Sequence, residues 1–278
     1  MESKIKITIK SLPSPRNLPL SHLTHPKMKT FLTLFGREVK SFFYSPIAYV
    51  VLFYFLLLAG VNFWYQISVI NGYPVELTLV EIVFAQALFW FPFILSFPLI
   101  TMKVYSEEYR MGTLETLTTA PVRDWQIVLA KFAGVVFFYC VLWAPNFFSF
   151  AAFEQITQHA AANSSGAYYT TFLLLFLMGL FFCSVGCFAS ALTQDQIIAA
   201  TISFSIILIC VFLPFLPMVM NITNPAIRDI FSYFSPTGHM DDFSKGIIDS
   251  RPLVWYLSMT ALMTYLTLQV FQFRKWKA

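Results

Sequence analysis

The chain has 278 residues, of which 58% are hydrophobic and 12% are charged, and its formal net charge is +4. Its mean hydropathy is +0.67, a value that excludes an ordinary soluble globular domain. A helix needs about 20 apolar residues to cross a bilayer, so the long charge-free stretches predict an integral membrane protein.

The first two segments precede any membrane span. Residues 1–27 are rich in Ser, Pro, Lys and His and lack the apolar core of a cleavable signal peptide, so we expect a disordered basic extension and regard Met28 as a candidate true start. Residues 29–44 show helical periodicity, with a basic face that includes Arg37 opposite a Phe-rich face, which predicts an interfacial elbow helix on the inner leaflet. Glu38 projects near the apolar side and therefore needs a partner. It either pairs along its own helix or reaches water, or it forms a salt bridge to a cation of the first loop.

Six charge-free intervals, at 41–75, 82–102, 132–153, 155–194, 196–227 and 252–273, are long enough to indicate bilayer crossings. We place the spans at about 46–66, 83–103, 125–153, 168–191, 196–219 and 253–273. Lys and Arg concentrate in the N-terminal segment, the loop after the second span and the C-terminal tail, whereas the other side carries only Arg228, Lys245 and Arg251. The positive-inside rule therefore predicts that both termini are cytoplasmic.

The first cytoplasmic loop, "SEEYRMGTLETLTTAPVRDW" at 106–125, holds an unusual concentration of charge for this chain. Gly112 and Pro121 delimit a short segment in which Leu114 and Leu117 share one face of a predicted helix at about 113–119. A helix of this length is unstable alone in water. It is either a loop lying on the bilayer or a knob that docks into a groove of another protein.

Two further regions carry candidate functional residues. In the link "LTQDQ" at 192–196, Asp195 is expected either to cap the fifth span or to touch a partner subunit. Outside, residues 222–250 are too apolar for a free loop and predict a hairpin that dips back into the outer leaflet, as a gate or as a passive lid. Its candidate gate residues are Phe231, Phe234, Pro236, Met240 and Phe243.

The sequence offers no chemistry of its own for energy conversion. None of the ten glycines begins a G-x-x-x-x-G-K-[ST] phosphate loop, and the four cysteines fall in apolar spans, where Cys behaves as a small hydrophobe. We therefore expect no bound cofactor or metal, no catalytic residue and no nucleic-acid partner.

The stretch "EEYRMGTLETLTTAPVRDWQIVLAK" resembles the first cytoplasmic loop of ABC type-2 exporter permeases. The segments "REVKSFFYSPIAYVV" and "FSPTGHMDDFSKGIIDSRPLVWYLSMTALMTYLTLQVFQFRKWK" look most like the permease of gliding-motility-type ABC systems, so the resemblance covers about 28–278. It implies an all-α fold with six transmembrane helices, an elbow helix and an outward re-entrant hairpin before the last helix.

The same resemblance implies a coupling helix at about 113–119, in which Gly112, Thr113, Leu114 and Glu115 match the family motif and Glu107 and Arg110 flank it. It also implies a bacterial inner-membrane location, a second permease copy or a related permease, and a separate ATPase subunit that holds ATP and Mg. The expected function is ATP-driven export. The alternative is a non-transporting complex that passes ATP-driven motion to an envelope or gliding-motility-type protein.

Overall fold

A computed structural model describes residues 27–72, 78–113, 122–156, 165–221 and 224–277. Within these ranges all regular structure is helical. The predicted basic extension lies outside the described residues, apart from Lys27. The helices are α1 (Lys27–Tyr44), α2 (Pro46–Gly72), α3 (Leu79–Ala85), α4 (Ala87–Thr101), α5 (Lys103–Met111), α6 (Asp124–Ile156), α7 (Ser165–Leu192), α8 (Gln196–Phe212), α9 (Leu216–Val219), α10 (Pro225–Tyr233), α11 (Pro236–Ser244) and α12 (Ser250–Lys277).

Six helical stretches in the described ranges are long and apolar enough to cross a membrane, as the sequence predicts. They are Pro46–Ile70, Ala87–Met111, Asp124–Phe153, Gly166–Leu192, Gln196–Phe215 and Ser250–Lys275. The predicted second span, about 83–103, contains a break in the helix. Gln86 has an extended backbone, with φ −81° and ψ 142°, and separates the short helix α3 from α4. The long apolar helical stretch therefore begins at Ala87, and the boundary of the membrane span stays a prediction.

The fifth span ends earlier than predicted. Helix α8 gives way to a 3₁₀ turn at Leu213–Phe215, which contains Pro214, and the spanning stretch stops at Phe215 rather than at about 219. Proline lacks the N–H group that the ladder of an α-helix requires, which accounts for the change of helix type at this point.

Helix α7 lies at the centre of the bundle and packs against α4, α5, α6, α8, α11 and α12. Two glycines allow this close packing. A Cβ at Gly179 would lie 2.2 Å from the ring of Tyr139 on α6, and one at Gly186 would lie 2.1 Å from Thr101 Oγ1 on α4. By contrast, α2, α8 and α12 leave most of their apolar surface exposed, as expected for helices that face lipid or another subunit.

Helices α10 and α11 lie between the fifth and sixth spans. Asn224 caps α10 by accepting a hydrogen bond from Ala226 N, and Ser235 caps α11 by accepting one from Gly238 N. Helix α10 is exposed along its length, whereas α11 packs against α7 and α3. Of the two, α11 is therefore the one that belongs to the body of the protein.

Candidate coupling site

The predicted break at Gly112 is confirmed. Helix α5 ends at Met111, and Gly112 follows in the left-handed conformation, with φ +67°, that a residue without a Cβ adopts at low cost. Thr113 is exposed and again helical. Leu114, Glu115 and Leu117 lie outside the described residues, so the coupling helix itself remains a prediction.

Directly beside α5, a buried cluster of charges joins α1, α5 and α6. The ammonium group of Lys131, on α6, donates hydrogen bonds to Glu108 Oε1 at 2.7 Å, to the carbonyl oxygen of Val104 at 3.0 Å and to the carboxylate of Glu38 at 3.3 and 3.4 Å. The side chain of Lys131 is only 2% exposed. Three N–H groups thus meet three acceptors, which is what a buried ammonium requires.

Arg37 closes this cluster from the solvent side. Its guanidinium group lies 2.8 Å from Glu38 Oε1 and 3.6 Å from Glu108 Oε1, and its side chain is half exposed. Glu38 therefore pairs along its own helix with Arg37, as one of the alternatives from the sequence predicts, and also with Lys131, which lies on α6 beyond the first loop. Two carboxylates and two cations balance, so this ion cluster of Arg37, Glu38, Glu108 and Lys131 carries no net formal charge.

The backbone positions the cluster through close contacts. A Cβ at Gly134 would lie 2.9 Å from the Cβ of Glu38, so Gly134 lets α1 approach α6 closely enough for the ion pair to form. Phe42 stacks on Phe138 at 5.2 Å between ring centroids and holds the same two helices together.

The start of α5 is fixed to α7 by one hydroxyl group. Ser190 Oγ accepts hydrogen bonds from the backbone N–H groups of Tyr105, at 3.0 Å, and Ser106, at 3.2 Å, and it donates one to the carbonyl oxygen of Met102 at 3.0 Å. These groups lie at the junction between α4 and α5. The helix that leads to Gly112 is therefore anchored to the centre of the bundle.

A family model described as "ABC-2 family transporter protein" matches residues 62–267. The match spans most of the chain and includes the first loop, four of the six candidate spans in full, and parts of the first and sixth. The chain belongs to the ABC-2 transporter family. Membership makes it the transmembrane component of an ABC transporter, a component that is generally not itself catalytic, and implies pairing with an ABC ATPase subunit. Among curated proteins, no significant match to this chain is found.

In this ABC-2 permease a cleft lies next to the ion cluster, and two of the predicted coupling residues line it. The cleft has a volume of about 200 Å³, and Glu107 and Thr113 contribute to its wall together with Glu38, Glu108 and Lys131. Arg110 is exposed on the last turn of α5. Glu107 and Arg110 therefore stay accessible, and it is Glu108 that enters the buried cluster.

The ends of three other helices meet on the same side of the permease. Lys275, near the end of α12, lies 2.8 Å from Asp124 Oδ1 at the start of α6. Arg274 donates a hydrogen bond to the carbonyl oxygen of Leu192, the last residue of α7, and its guanidinium group lies 4.5 Å from the ring centroid of Tyr109. These contacts connect the C-terminal helix to both ends of the first loop.

The link between α7 and α8 contains the residue that caps the start of α8. Asp195 Oδ1 accepts a hydrogen bond from Ile197 N at 2.8 Å, which confirms Asp195 as the N-cap of α8. Its carboxylate is exposed, so a contact with a partner subunit stays a prediction.

The predicted gate residues divide into two groups by their burial. Pro236, Met240 and Phe243, which belong to α11, are buried, whereas Phe231 and Phe234 are partly exposed. The carbonyl oxygen of Phe243 accepts a hydrogen bond from Thr170 Oγ1 on α7 at 2.7 Å. Helix α11 is thus attached to the central helix, and any gating movement there has to break this contact.

A buried histidine adds a second attachment of α11. His239 Nδ1 lies 3.2 Å from the hydroxyl oxygen of Tyr256 on α12. Burial lowers the pKa of His239 below its usual value, against the opposing effects of a hydrogen bond to the backbone at Tyr233 and the nearby Asp242 and Asp249. The imidazole is therefore held in its neutral form in this environment.

Three contributors to the site escaped sequence reasoning: Glu108, Lys131 and Gly134. Glu108 is adjacent to Glu107 in a run of two acids, and only the direction of α5 decides which of the two faces inward. Lys131 is the last residue of the quoted loop motif, and this position is the one sequence signal that could have indicated it. Among the residues that the structure describes, no group of three His, Cys, Asp or Glu side chains is placed to hold a metal ion.

Proposed function

We propose that this ABC-2 permease is the transmembrane subunit of an ATP-driven exporter and that the first loop receives the motion of its ATPase partner. The observation that carries the proposal is the ion cluster, because it joins α1, α5 and α6 through Glu108, four residues before Gly112. Displacement of a segment docked after Gly112 would be transmitted to two spans and to the elbow at once.

The assembly that we propose follows from this arrangement. Residues 113–119 form a coupling helix that docks onto the ATPase through Leu114 and Leu117, while Glu107, Arg110, Glu115 and Asp195 provide polar contacts around it. ATP and Mg bind in the partner subunit. Two permease copies, or this chain and a related one, pair in a bacterial inner membrane with both termini in the cytoplasm, where α1 lies on the inner leaflet.

On the outer side, we propose that α10 and α11 form a hairpin whose apolar residues dip into the outer leaflet and gate the exit. The buried positions of Met240 and Phe243 support a closed conformation of this gate. The resemblance of the first and last segments to gliding-motility-type permeases supports that subtype and leaves an accessory envelope or motility protein as a candidate partner.

Reconstitution tests the proposal. The permease is co-purified with an ABC ATPase encoded beside it and placed in liposomes, and ATP-dependent release of a labelled lipid, glycan or peptide is measured. Export predicts release that stops when ATP hydrolysis is blocked. An ATP-driven conformational change without any translocated molecule would instead support the force-transmitting complex.

A further inference from the structure

A cavity of about 510 Å³ opens between α3, α4, α8 and α11. Its volume is in the range of sites that bind small organic molecules. Most of the lining is apolar; its large apolar residues are Phe84, Trp90, Ile94, Val211 and the partly exposed Phe212 and Phe215. This cavity is separate from the cleft beside the ion cluster and lies toward the opposite ends of the spans.

The apolar part of the cavity follows the spans inward. Ile94 lies seven residues after Ala87, where the second span begins. At 1.5 Å per residue, the cavity therefore extends about 10 Å along α4. On the facing wall, Val211 lies four residues before Phe215, where the fifth candidate span ends, so this wall also extends inward along its span. A depth of this kind suits an alkyl chain.

The mouth of the cavity is polar and acidic. Glu81 and Asp241 face it together with the hydroxyl-bearing residues Ser235 and Thr237. Glu81 Oε2 accepts a hydrogen bond from the backbone N–H of Thr78 at 2.6 Å, so its carboxylate is held in place.

Among the residues that the structure describes, Lys245 forms an ion pair with one of these two carboxylates. Lys245 Nζ lies 2.6 Å from Asp241 Oδ2, in a pair four residues apart on α11 whose side chains are 43% and 60% exposed. Exposed pairs of this kind contribute little to stability and exchange readily with other cations. The mouth therefore keeps an excess of negative charge and an ion pair that a ligand cation can replace.

We propose that this cavity binds a cationic amphiphile, a molecule with an alkyl chain and an amine or quaternary ammonium headgroup. The chain occupies the apolar walls, and the headgroup lies between Glu81 and Asp241. An anionic headgroup would meet like charge there. Naming this class as the exported substrate rests on the proposed function, whereas binding itself is measured on the permease alone.

Quenching of Trp90 fluorescence by a brominated chain tests the proposal. The permease is placed in phosphatidylcholine nanodiscs and titrated with bromododecyl-trimethylammonium, because bromine quenches tryptophan on contact. The difference in quenching between the native permease and the variant Trp90→Phe reports binding of the probe in the cavity. Ala85→Phe, at an exposed residue of the mouth, should block the probe without disturbing the packed core and adds no tryptophan to the signal.

Charge variants then test the class of ligand. The double variant Glu81→Gln, Asp241→Asn should raise the Kd of the probe by about fivefold, as loss of partly exposed charge contacts predicts. Lys245→Gln removes the competing ammonium and should lower the Kd. Asp229→Asn, which removes one carboxylate from exposed α10 outside the cavity, is the control and should leave the Kd unchanged.

The outcomes separate the two proposals. Equal quenching by brominated dodecyl chains with trimethylammonium, sulfate and maltoside headgroups would overturn the cationic class, and absence of quenching that depends on Trp90 would overturn binding. If binding is absent while an ABC ATPase still co-purifies, the exporter proposal stands and this inference alone fails. If the probe binds but no ATPase pairs with the chain, the exporter proposal fails instead.

Discussion

Replacing Lys131 with Met should destabilise the permease strongly. The substitution keeps much of the side-chain volume but leaves Glu38 and Glu108, whose side chains are 11% and 21% exposed, with only the half-exposed Arg37 as counter-ion. Removing one partner of a buried pair costs about 3 to 5 kcal/mol. Because both carboxylates keep a small contact with solvent, we expect about 3 kcal/mol. For a chain of this size that corresponds to a fall of roughly 6 to 12 °C in melting temperature.

The assay is thermal unfolding of the purified permease in detergent. Lys245→Met is the matched control, since it removes a lysine from an exposed ion pair and should leave the melting temperature unchanged. The double variant Glu38→Gln, Lys131→Met should melt higher than Lys131→Met, because one uncompensated carboxylate is gone. If Lys131→Met has the same melting temperature as the native protein, the ion cluster does not hold α1, α5 and α6 together.

Three further predictions concern other contacts. Gly134→Ala places a Cβ 2.9 Å from Glu38 and should cost about 1 to 3 kcal/mol in an unfolding assay, whereas Gly60→Ala, with nothing within 4 Å, should be neutral. Asp195→Ala removes the cap of α8 and should cost about 0.5 to 2 kcal/mol in the same assay, with an unchanged melting temperature contradicting the cap. Burial lowers the pKa of His239, so the unfolded state takes up a proton first as pH falls below about 6.5, and stability should decrease there; melting curves of His239→Phe should lose that part of the pH dependence.

The sequence predicts the parts of this fold that depend on local signals. The six spans follow from apolar length, the end of α5 from the freedom of Gly112, and the capping of α8 from Asp195. Each of these features is decided by residues that are close together in the chain.

The contacts that assemble the site depend on residues far apart, and no local pattern indicates them. Lys131 pairs with Glu38 across 93 positions, and Ser190 binds the backbone at Tyr105 across 85. The break in the helix at Gln86 was also missed, although the signal for it is local. Val83 and Phe84 are as apolar as any membrane residue, but Thr78 and Glu81 form a capping box that begins a separate short helix before Gln86.

Co-purification tests the central claim most directly, namely that the first loop docks onto an ATPase subunit. The permease carrying Leu114→Asp and Leu117→Asp is expressed with its ABC ATPase partner, next to a control with Asn221→Asp and Ser232→Asp at exposed polar positions on the opposite side of the bundle. The account predicts that the loop variant elutes as a folded permease without the ATPase, while the control retains it. Retention of the ATPase by the folded loop variant would contradict the account.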